Sequence, residues 1–284
     1  LRFLPRPADY LFLYFFGFFI LLMVLKVDWK LAIVGSLGFG LSTYLIIILG
    51  VGHNAKAHAI AYMPLVLAGI LLVFQQKYLL GFVVTALAMS LEISASHVQM
   101  TYYLLFLVLI FGVVQLIESF KNKEIPHFIK SIGVLAVAVI IAIGTNATSL
   151  LAMKEYSQQS TRSKSELTIN VDGTEKIPSA GLDRDYITEY SYGKAETFNL
   201  FIPRFMGGTR NETVENGELQ SFMQDAVNKG FNPEEANYYF GNSSMYWGEQ
   251  PIVAAPAYIG ALFIFLFAIG FFLVERRLRN WLLA

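Results

Sequence analysis

Two long apolar runs joined by a short polar turn set the architecture of this chain. Residues 27–74 read VDWKLAIVGSLGFGLSTYLIIILGVGHNAKAHAIAYMPLVLAGILLVF. An apolar stretch of about 18 or more residues with few charges is a candidate transmembrane helix. Lipid offers the backbone no hydrogen-bond partners, so each run is predicted to be a helix. The polar turn GHNAKAH is then predicted to lie at a membrane face.

The same pattern extends over most of the 284 residues. The chain is 55% hydrophobic and only 15% charged, whereas soluble domains carry roughly a quarter charged residues. Seven candidate spans follow, at Tyr10–Leu25, Leu31–Gly50, Ala57–Phe74, Leu79–Leu91, Met100–Ile117, Ser131–Leu151 and Val253–Val274. The sequence therefore predicts an all-α polytopic membrane protein with about seven transmembrane helices and one large extracytoplasmic loop domain.

Lysine and arginine are unevenly divided between the two sets of short loops. One set holds Lys26, Lys30, Lys77, Lys121, Lys123, Lys130, Arg276, Arg277 and Arg279, and the other holds only Arg2, Arg6 and Lys56. Positive residues favour the cytoplasmic side, so the second set is predicted to lie outside. The long segment Lys154–Gln250 falls on the same outer side, and its fifteen acidic and nine basic residues make it net acidic.

These features divide the chain into three regions. Residues 1–152 are predicted to form a bundle of about six spans, residues 153–252 an extracytoplasmic cap, and residues 253–284 the last span and a basic cytoplasmic end. Within the cap, an apolar stripe at helical spacing predicts an amphipathic helix, formed by Leu219, Phe222, Met223, Ala226 and Val227. Gly230 is predicted to end this helix, and Asn232 to cap the next one.

The composition also excludes several classes of protein. The chain has no cysteine and no net charge, which excludes thiol chemistry within it and argues against a nucleic-acid binder. The P-loop, the Rossmann glycine fingerprint, the nucleophile elbow and HExxH do not occur. The pair His53 and His58 suggests a metal, but its spacing matches no known ligand pattern, so the cofactor is unknown.

Polar side chains at the predicted outer ends of the spans are candidates for function. Asn54, His58 and Tyr62 are four residues apart and share one face of a helix. Lys56 lies off that row, where it is either a phosphate contact or a lysine that reaches toward lipid headgroups.

A second candidate segment follows the fourth span. Glu92 falls at its outer end and is a candidate for proton transfer. His97 and Gln99 follow within one loop, and the alternative is a capping loop with a boundary carboxylate. Further candidate phosphate contacts are Arg6, Arg162 and Lys164, whereas Asp9 is favoured as a first-turn helix residue.

Six segments are informative as a set: residues 27–70 and PRPADYLFLYFFGFF (5–19), LEISASHVQMTYY (91–103), NATSLLAMKEYSQQSTRSKSELT (146–168), ETFNLFIPRFMGG (196–208) and YWGEQPIVAAPAYIGALF (246–263). Together they resemble the YfhO family of bacterial multi-pass membrane proteins. The family in turn is similar to the GT-C glycosyltransferases. Leu1 without a preceding Met and the end RRLRNWLLA predict an internal fragment of a longer protein.

The resemblance implies transfer of a sugar from a polyprenyl-phosphate donor to a cell-envelope acceptor, at the outer face of the bacterial cytoplasmic membrane. It implies a lipid-linked donor, membrane lipids and an envelope acceptor as partners. The usual catalytic acid of the superfamily would lie upstream of Leu1. Within this chain the expected catalytic residues are then Glu92, His58 and His97. The expected substrate-binding residues are Arg6, Lys56, Asn54, Tyr62, Gln99, Arg162 and Lys164.

Two other functions are compatible with the sequence. A non-enzymatic envelope assembly protein would use the outer loop to bind its partners. A lipid or solute transporter would place ionisable residues near the bilayer midplane and contain broken helices. The predicted spans carry few such polar residues, which counts against a transporter.

Overall fold

In a computed structural model, the chain is all-helical over the residues described, apart from two isolated β-bridges. These residues are 4–158, 160, 169, 173–175, 182, 184–209, 217–241, 244–251, 253 and 256–283. The helices are α1 (Ala8–Val24), α2 (Trp29–Gly40), α3 (Thr43–Gly50), α4 (Asn54–Phe74), α5 (Tyr78–Ser94), α6 (Val98–Asn122), α7 (Ile125–Thr145), α8 (Ala147–Gln158), α9 (Arg184–Thr188), the 3-10 helix η1 (Ala195–Leu200), α10 (Gly217–Asn228), α11 (Pro233–Gly241), α12 (Ala261–Leu273) and α13 (Arg276–Leu283).

Several of these helices are suited to a membrane. Helices α4, α6 and α7 have 21, 25 and 21 residues and are long and apolar enough to cross a bilayer. Helices α2 and α3 together would make a fourth span, bent by 45°. Three further apolar helices are shorter, with 17 residues in α1, 17 in α5 and 13 in α12. The chain is thus an all-helical membrane protein with three or four candidate spans among its described residues.

The predicted second span, Leu31–Gly50, is broken into α2 and α3. Ser42 lies at the break with an extended backbone, φ −57° and ψ 138°. Two glycines, Gly38 and Gly40, precede it, and glycine is a poor helix former. The apolar pattern continues across the break, which is why hydropathy alone predicts one uninterrupted helix.

Two other predicted spans have different bounds. The predicted span Ser131–Leu151 corresponds to α7, which begins at Ile125 with Pro126 in its first turn and ends at Thr145. The last predicted span begins later than expected, because Gly260 has a φ of 121° and the helix starts only at Ala261. Apolar composition predicts the existence of both helices but not the residues that start and stop them.

The chain divides into two compact units, Leu1–Leu182 with Leu262–Ala284, and Asp183–Ala261. In the first unit, α4 packs against α1 and α5. Glycines let these backbones approach closely. A Cβ on Gly17 would lie 2.8 Å from the carbonyl oxygen of Ala61, and a Cβ on Gly69 would lie 2.6 Å from the amide nitrogen of Thr85.

The Gly35–Gly40 run forms a packing face on α2, as its small residues predict. A Cβ on Gly35 would lie 2.6 Å from a methyl carbon of Leu22, and one on Gly40 would lie 2.5 Å from the Phe15 ring. The side chains of α1 therefore fill the space that these glycines leave open.

In the second unit, the two helices predicted in the outer loop are confirmed as α10 and α11. Gly230 has a φ of 97° after the end of α10, a conformation that glycine adopts without strain. The Asn232 side chain accepts a hydrogen bond from the amide of Glu234 at 2.9 Å, as an N-cap residue does.

Candidate functional site

The structure brings two of the predicted segments together beside the first turns of α4. The rings of Tyr10 and His58 lie 4.4 Å apart, and those of His58 and Tyr62 lie 6.0 Å apart. The guanidinium of Arg6 lies 5.7 Å from the centre of the Tyr10 ring. Arg6, Asp9, Tyr10, His58 and Tyr62 are named here the tyrosine–histidine group.

Local structure explains how this group forms. Gly52, with a φ of 78°, turns the chain before α4 begins at Asn54. His58 and Tyr62 then fall one turn apart on one face of α4. On α1, Asp9 is only 8% exposed and accepts a hydrogen bond from the amide of Tyr10 at 3.0 Å.

Two hydroxyls on α1 are buried without a partner. Tyr10 and Tyr14 are 1% and 0% exposed. Neither hydroxyl makes a hydrogen bond within the part of the chain that the structure describes. Burying a polar group without a partner costs free energy. The Tyr10 hydroxyl therefore leaves an unused donor at the tyrosine–histidine group, and the Tyr14 hydroxyl leaves another one turn further along α1.

A second group forms where α5 ends and α6 begins. The side chain of Glu92, in the last turn of α5, is fully buried at 0% exposure. Both of its oxygens face the Thr101 hydroxyl on α6, at 2.9 and 3.0 Å. One hydroxyl has one proton to donate. Among the described residues, Glu92 has no cation as a partner, so its carboxyl keeps unused acceptor capacity.

His97 follows Glu92 by five residues, and Lys56 lies close enough to His97 to affect its charge. His97 immediately precedes α6, and its Nδ1 is buried without a hydrogen-bond partner in the described residues. Burial lowers the pKa of the His97 imidazole below its ordinary value, and the nearby Lys56 and His53 lower this pKa further. Glu92, Thr101, His97 and Lys56 are named here the carboxyl group site.

The predicted catalytic residues therefore lie in two groups, with His58 in one and Glu92 and His97 in the other. Two residues of α4 explain this, since Lys56 approaches His97 whereas His58 packs on Tyr10. Positions two apart on a helix point roughly 160° away from each other. The first turns of α4 consequently stand between the two groups.

The remaining predicted contacts have mixed outcomes. Asn54 is exposed at the first position of α4. Gln99 is exposed and donates to the Tyr103 hydroxyl at 2.7 Å, so it bonds along α6 rather than to Glu92. Arg162 and Lys164 lie outside the described residues.

Two contributors were not predicted. Asp9 lies in the first turn of α1, which confirms its predicted helix-start position, but its burial in the tyrosine–histidine group is not indicated by the sequence. Thr101 was not singled out, although it is the hydrogen-bond donor to Glu92. Glu92 is in the last turn of α5, and Thr101 follows nine residues later in the first turn of α6. The periodicity of a single helix does not predict contacts between residues on two successive helices.

An apolar cavity of about 350 Å³ adjoins the carboxyl group site. Thr101 is part of its wall, together with Val66, Met89, Val98 and Leu135 from four helices. A cavity of this size lined by apolar side chains suits a hydrocarbon chain. The site thus combines a buried carboxyl with an adjacent apolar space.

The opposite end of the same unit carries a polar cluster that the sequence did not indicate. The Tyr78 hydroxyl lies 2.7 Å from Nδ1 of His127, and Nε2 of His127 lies 3.1 Å from the carbonyl oxygen of Phe74. The Lys130 ammonium lies 4.1 Å from the centre of the Tyr78 ring. These contacts tie α4, α5 and α7 together, which gives His127 a structural role.

Comparison with known protein families, with curated proteins and with solved structures finds no match to this chain. In the part of the chain that the structure describes, no three His, Asp or Glu side chains are grouped as ligands of a metal ion. The geometry of the chain itself therefore carries the functional argument.

Proposed function

We propose that this chain belongs to a membrane glycosyltransferase of GT-C type. In this proposal it transfers a sugar from a polyprenyl-phosphate donor to a cell-envelope acceptor at the outer face of the bacterial cytoplasmic membrane. The shorter apolar helices α1, α5 and α12 complete a set of seven spans, with α2 and α3 as one bent span. The lysine and arginine distribution supports an outer location for the carboxyl group site.

The observation that carries the proposal is the environment of Glu92. Its carboxyl is fully buried and, within the part of the chain that the structure describes, receives a single hydroxyl donor, that of Thr101. A structural carboxyl with no other role is expected to be matched by more donors or by a cation. An acceptor hydroxyl would supply the missing donor, and Glu92 would take its proton.

The reaction requires two further features, and residues of the same site are suited to both. As the acceptor oxygen bonds to the anomeric carbon, the bond from that carbon to the phosphate oxygen breaks and the carrier phosphate leaves. Lys56 is suited to stabilise the charge on that phosphate. The apolar cavity beside Thr101 is suited to the hydrocarbon chain of the carrier.

A second candidate function is a transporter, and one observation favours it. Helices α2 and α3 are bent by 45° at a break between them, and discontinuous helices form the substrate sites of many transporters. The break carries Leu41 and Ser42 and no charged side chain. The transferase is favoured because the buried carboxyl and the half-buried Lys56 lie at the end of the bundle.

The test is transfer of a labelled sugar from polyprenyl-phosphate donors in membranes that contain the full-length protein. Wild type is compared with Lys56→Ala and with Lys121→Ala, an exposed lysine far along α6 from the site. We expect transfer by wild type and Lys121→Ala, and a loss of about tenfold or more for Lys56→Ala, which corresponds to about 1.4 kcal/mol.

Three other results are informative. Equal transfer by all three proteins would keep the transferase and remove Lys56 from its site. Absence of transfer with every donor would move the non-enzymatic assembly protein to first place. Donor-independent movement of labelled lipid across the membrane would favour the transporter.

A further inference from the structure

The second unit presents an apolar surface at the turn that follows η1. Phe198, Ile202 and Phe205 are 43%, 41% and 45% exposed. Their neighbour Phe201 is half-buried, and its ring centre lies 5.4 Å from that of Phe198. The rings of Phe198 and Phe205 lie 5.3 Å apart. These four residues are named here the phenylalanine surface.

The backbone beneath this surface is held by one buried polar side chain and one backbone hydrogen bond. Asn199 is 1% exposed, and its side-chain oxygen accepts a hydrogen bond from the amide of Met206 at 2.9 Å. The amide of Ile202 donates to the carbonyl of Phe198 at 2.8 Å. These hydrogen bonds fix the backbone of the turn. The exposed apolar side chains therefore belong to an ordered segment.

The phenylalanine surface is also tied to the start of a membrane-suited helix. The amide of Ile259 donates to the carbonyl of Leu200 at 2.9 Å. Two residues later Ala261 begins α12, an apolar helix with no buried residue. Two residues span at most about 7 Å, so the end of η1 lies within roughly 10 Å of Ala261, the last residue of the second unit.

We infer that the phenylalanine surface inserts into the headgroup layer of the membrane beside the start of α12. Aromatic side chains favour this layer, and the polar region on each side of the hydrocarbon core is roughly 5–8 Å thick. The short connection from Leu200 through Ile259 to Ala261 keeps the surface at that depth. The occupant of this apolar surface is thus lipid, and the inference holds whether or not the protein is a transferase.

The absence of cysteine from the chain allows a direct test. In the full-length protein, with any cysteine outside this chain replaced, Phe205→Cys and Ile202→Cys are each labelled with an environment-sensitive fluorophore. The protein is placed in vesicles of phosphatidylethanolamine and phosphatidylglycerol. Glu234→Cys, at an exposed position in the first turn of α11, is the control in the same unit.

We expect fluorophores at 202 and 205 to emit at shorter wavelength than the one at 234. They should be quenched by lipids that carry a nitroxide near the headgroup and protected from aqueous iodide. Two labelled positions keep the test valid if one label disturbs the turn. Equal iodide quenching at 202, 205 and 234, with no quenching by nitroxide lipids, would overturn the inference. Protection from both quenchers would indicate a protein partner and overturn it as well.

Discussion

Two buried glutamates, one in each compact unit, differ in how their oxygens are satisfied. Glu92 and Glu196 are both 0% exposed. Glu196 accepts backbone amides with both oxygens, from Glu249 at 3.1 Å and from Gly193. Among the described residues, Glu92 has only the Thr101 hydroxyl as a donor, shared between its two oxygens.

This difference separates a structural carboxyl from a functional candidate. Glu196 joins two loops of its unit, since residues 193 and 249 are far apart in the chain and both bond to it. Its charge is matched by fixed backbone donors. Glu92 bonds to one side chain among the residues described and retains acceptor capacity that a ligand could use. Burial alone would rank the two glutamates equally, whereas the donor count distinguishes them.

Among these substitutions, the largest expected decrease in the free energy of unfolding is that of Glu196→Gln. The substitution Glu196→Gln places an amide NH₂ against a backbone N–H and removes a charge-assisted hydrogen bond, which costs about 1.5–3 kcal/mol. Glu92→Gln keeps an oxygen for the Thr101 hydroxyl and should change stability by less than about 1 kcal/mol. Limited proteolysis of Asp183–Ala261 at rising temperature measures the first effect. A Glu92→Gln protein that is cleaved in that segment as readily as Glu196→Gln would contradict the distinction.

A smaller effect is expected at Thr101, which positions the Glu92 carboxyl. Thr101→Val keeps the shape and removes the hydroxyl, and loss of one hydrogen bond of about 1 kcal/mol corresponds to roughly fivefold slower transfer. Thr101→Ser restores a hydroxyl and should recover most of the rate. The measurement is the rate of sugar transfer per folded protein. Equal rates for the valine and serine variants would show that Thr101 has no such role.

The smallest effect concerns His97 and pH. The pKa of the folded-state imidazole lies below its ordinary 6.5, so the folded protein binds fewer protons than the unfolded chain as the pH falls through this range. The free energy of unfolding is therefore not reduced by His97 above pH 6.5, and it decreases as the pH falls below that value. Thermal unfolding at about pH 7.5 and 5.5 should show a smaller decrease for His97→Gln than for wild type. Identical decreases would contradict this assignment.

The sequence predicts where helices occur better than it predicts where they end. Apolar run length identifies α4 and α6, because the membrane requires helices for such runs. The break at Ser42 and the late start of α12 depend on local backbone conformations at Ser42 and Gly260. Hydropathy averages over such single residues. The caps in the second unit were predictable because Asn232 and Gly230 act on the residues next to them.

The candidate site was predictable only within single helices. The one-turn spacing of His58 and Tyr62 indicates their shared face, and this is confirmed by their ring centres, which lie 6.0 Å apart. The contact of Tyr10 with His58 joins residues 48 positions apart in the chain, and no periodicity indicates which helix packs on α4. The donor to Glu92 likewise depends on the angle between α5 and α6, which is set by packing.

The most direct test of the account compares sugar transfer by Glu92→Gln and Glu196→Gln in the full-length protein, at a temperature where both are folded. Glutamine at position 92 keeps the volume and removes the base, so we expect transfer to fall at least about 100-fold. Transfer by Glu196→Gln should stay within about threefold of wild type. Transfer that survives in Glu92→Gln and falls only in Glu196→Gln would contradict the central claim that Glu92 is the functional carboxyl and Glu196 the structural one.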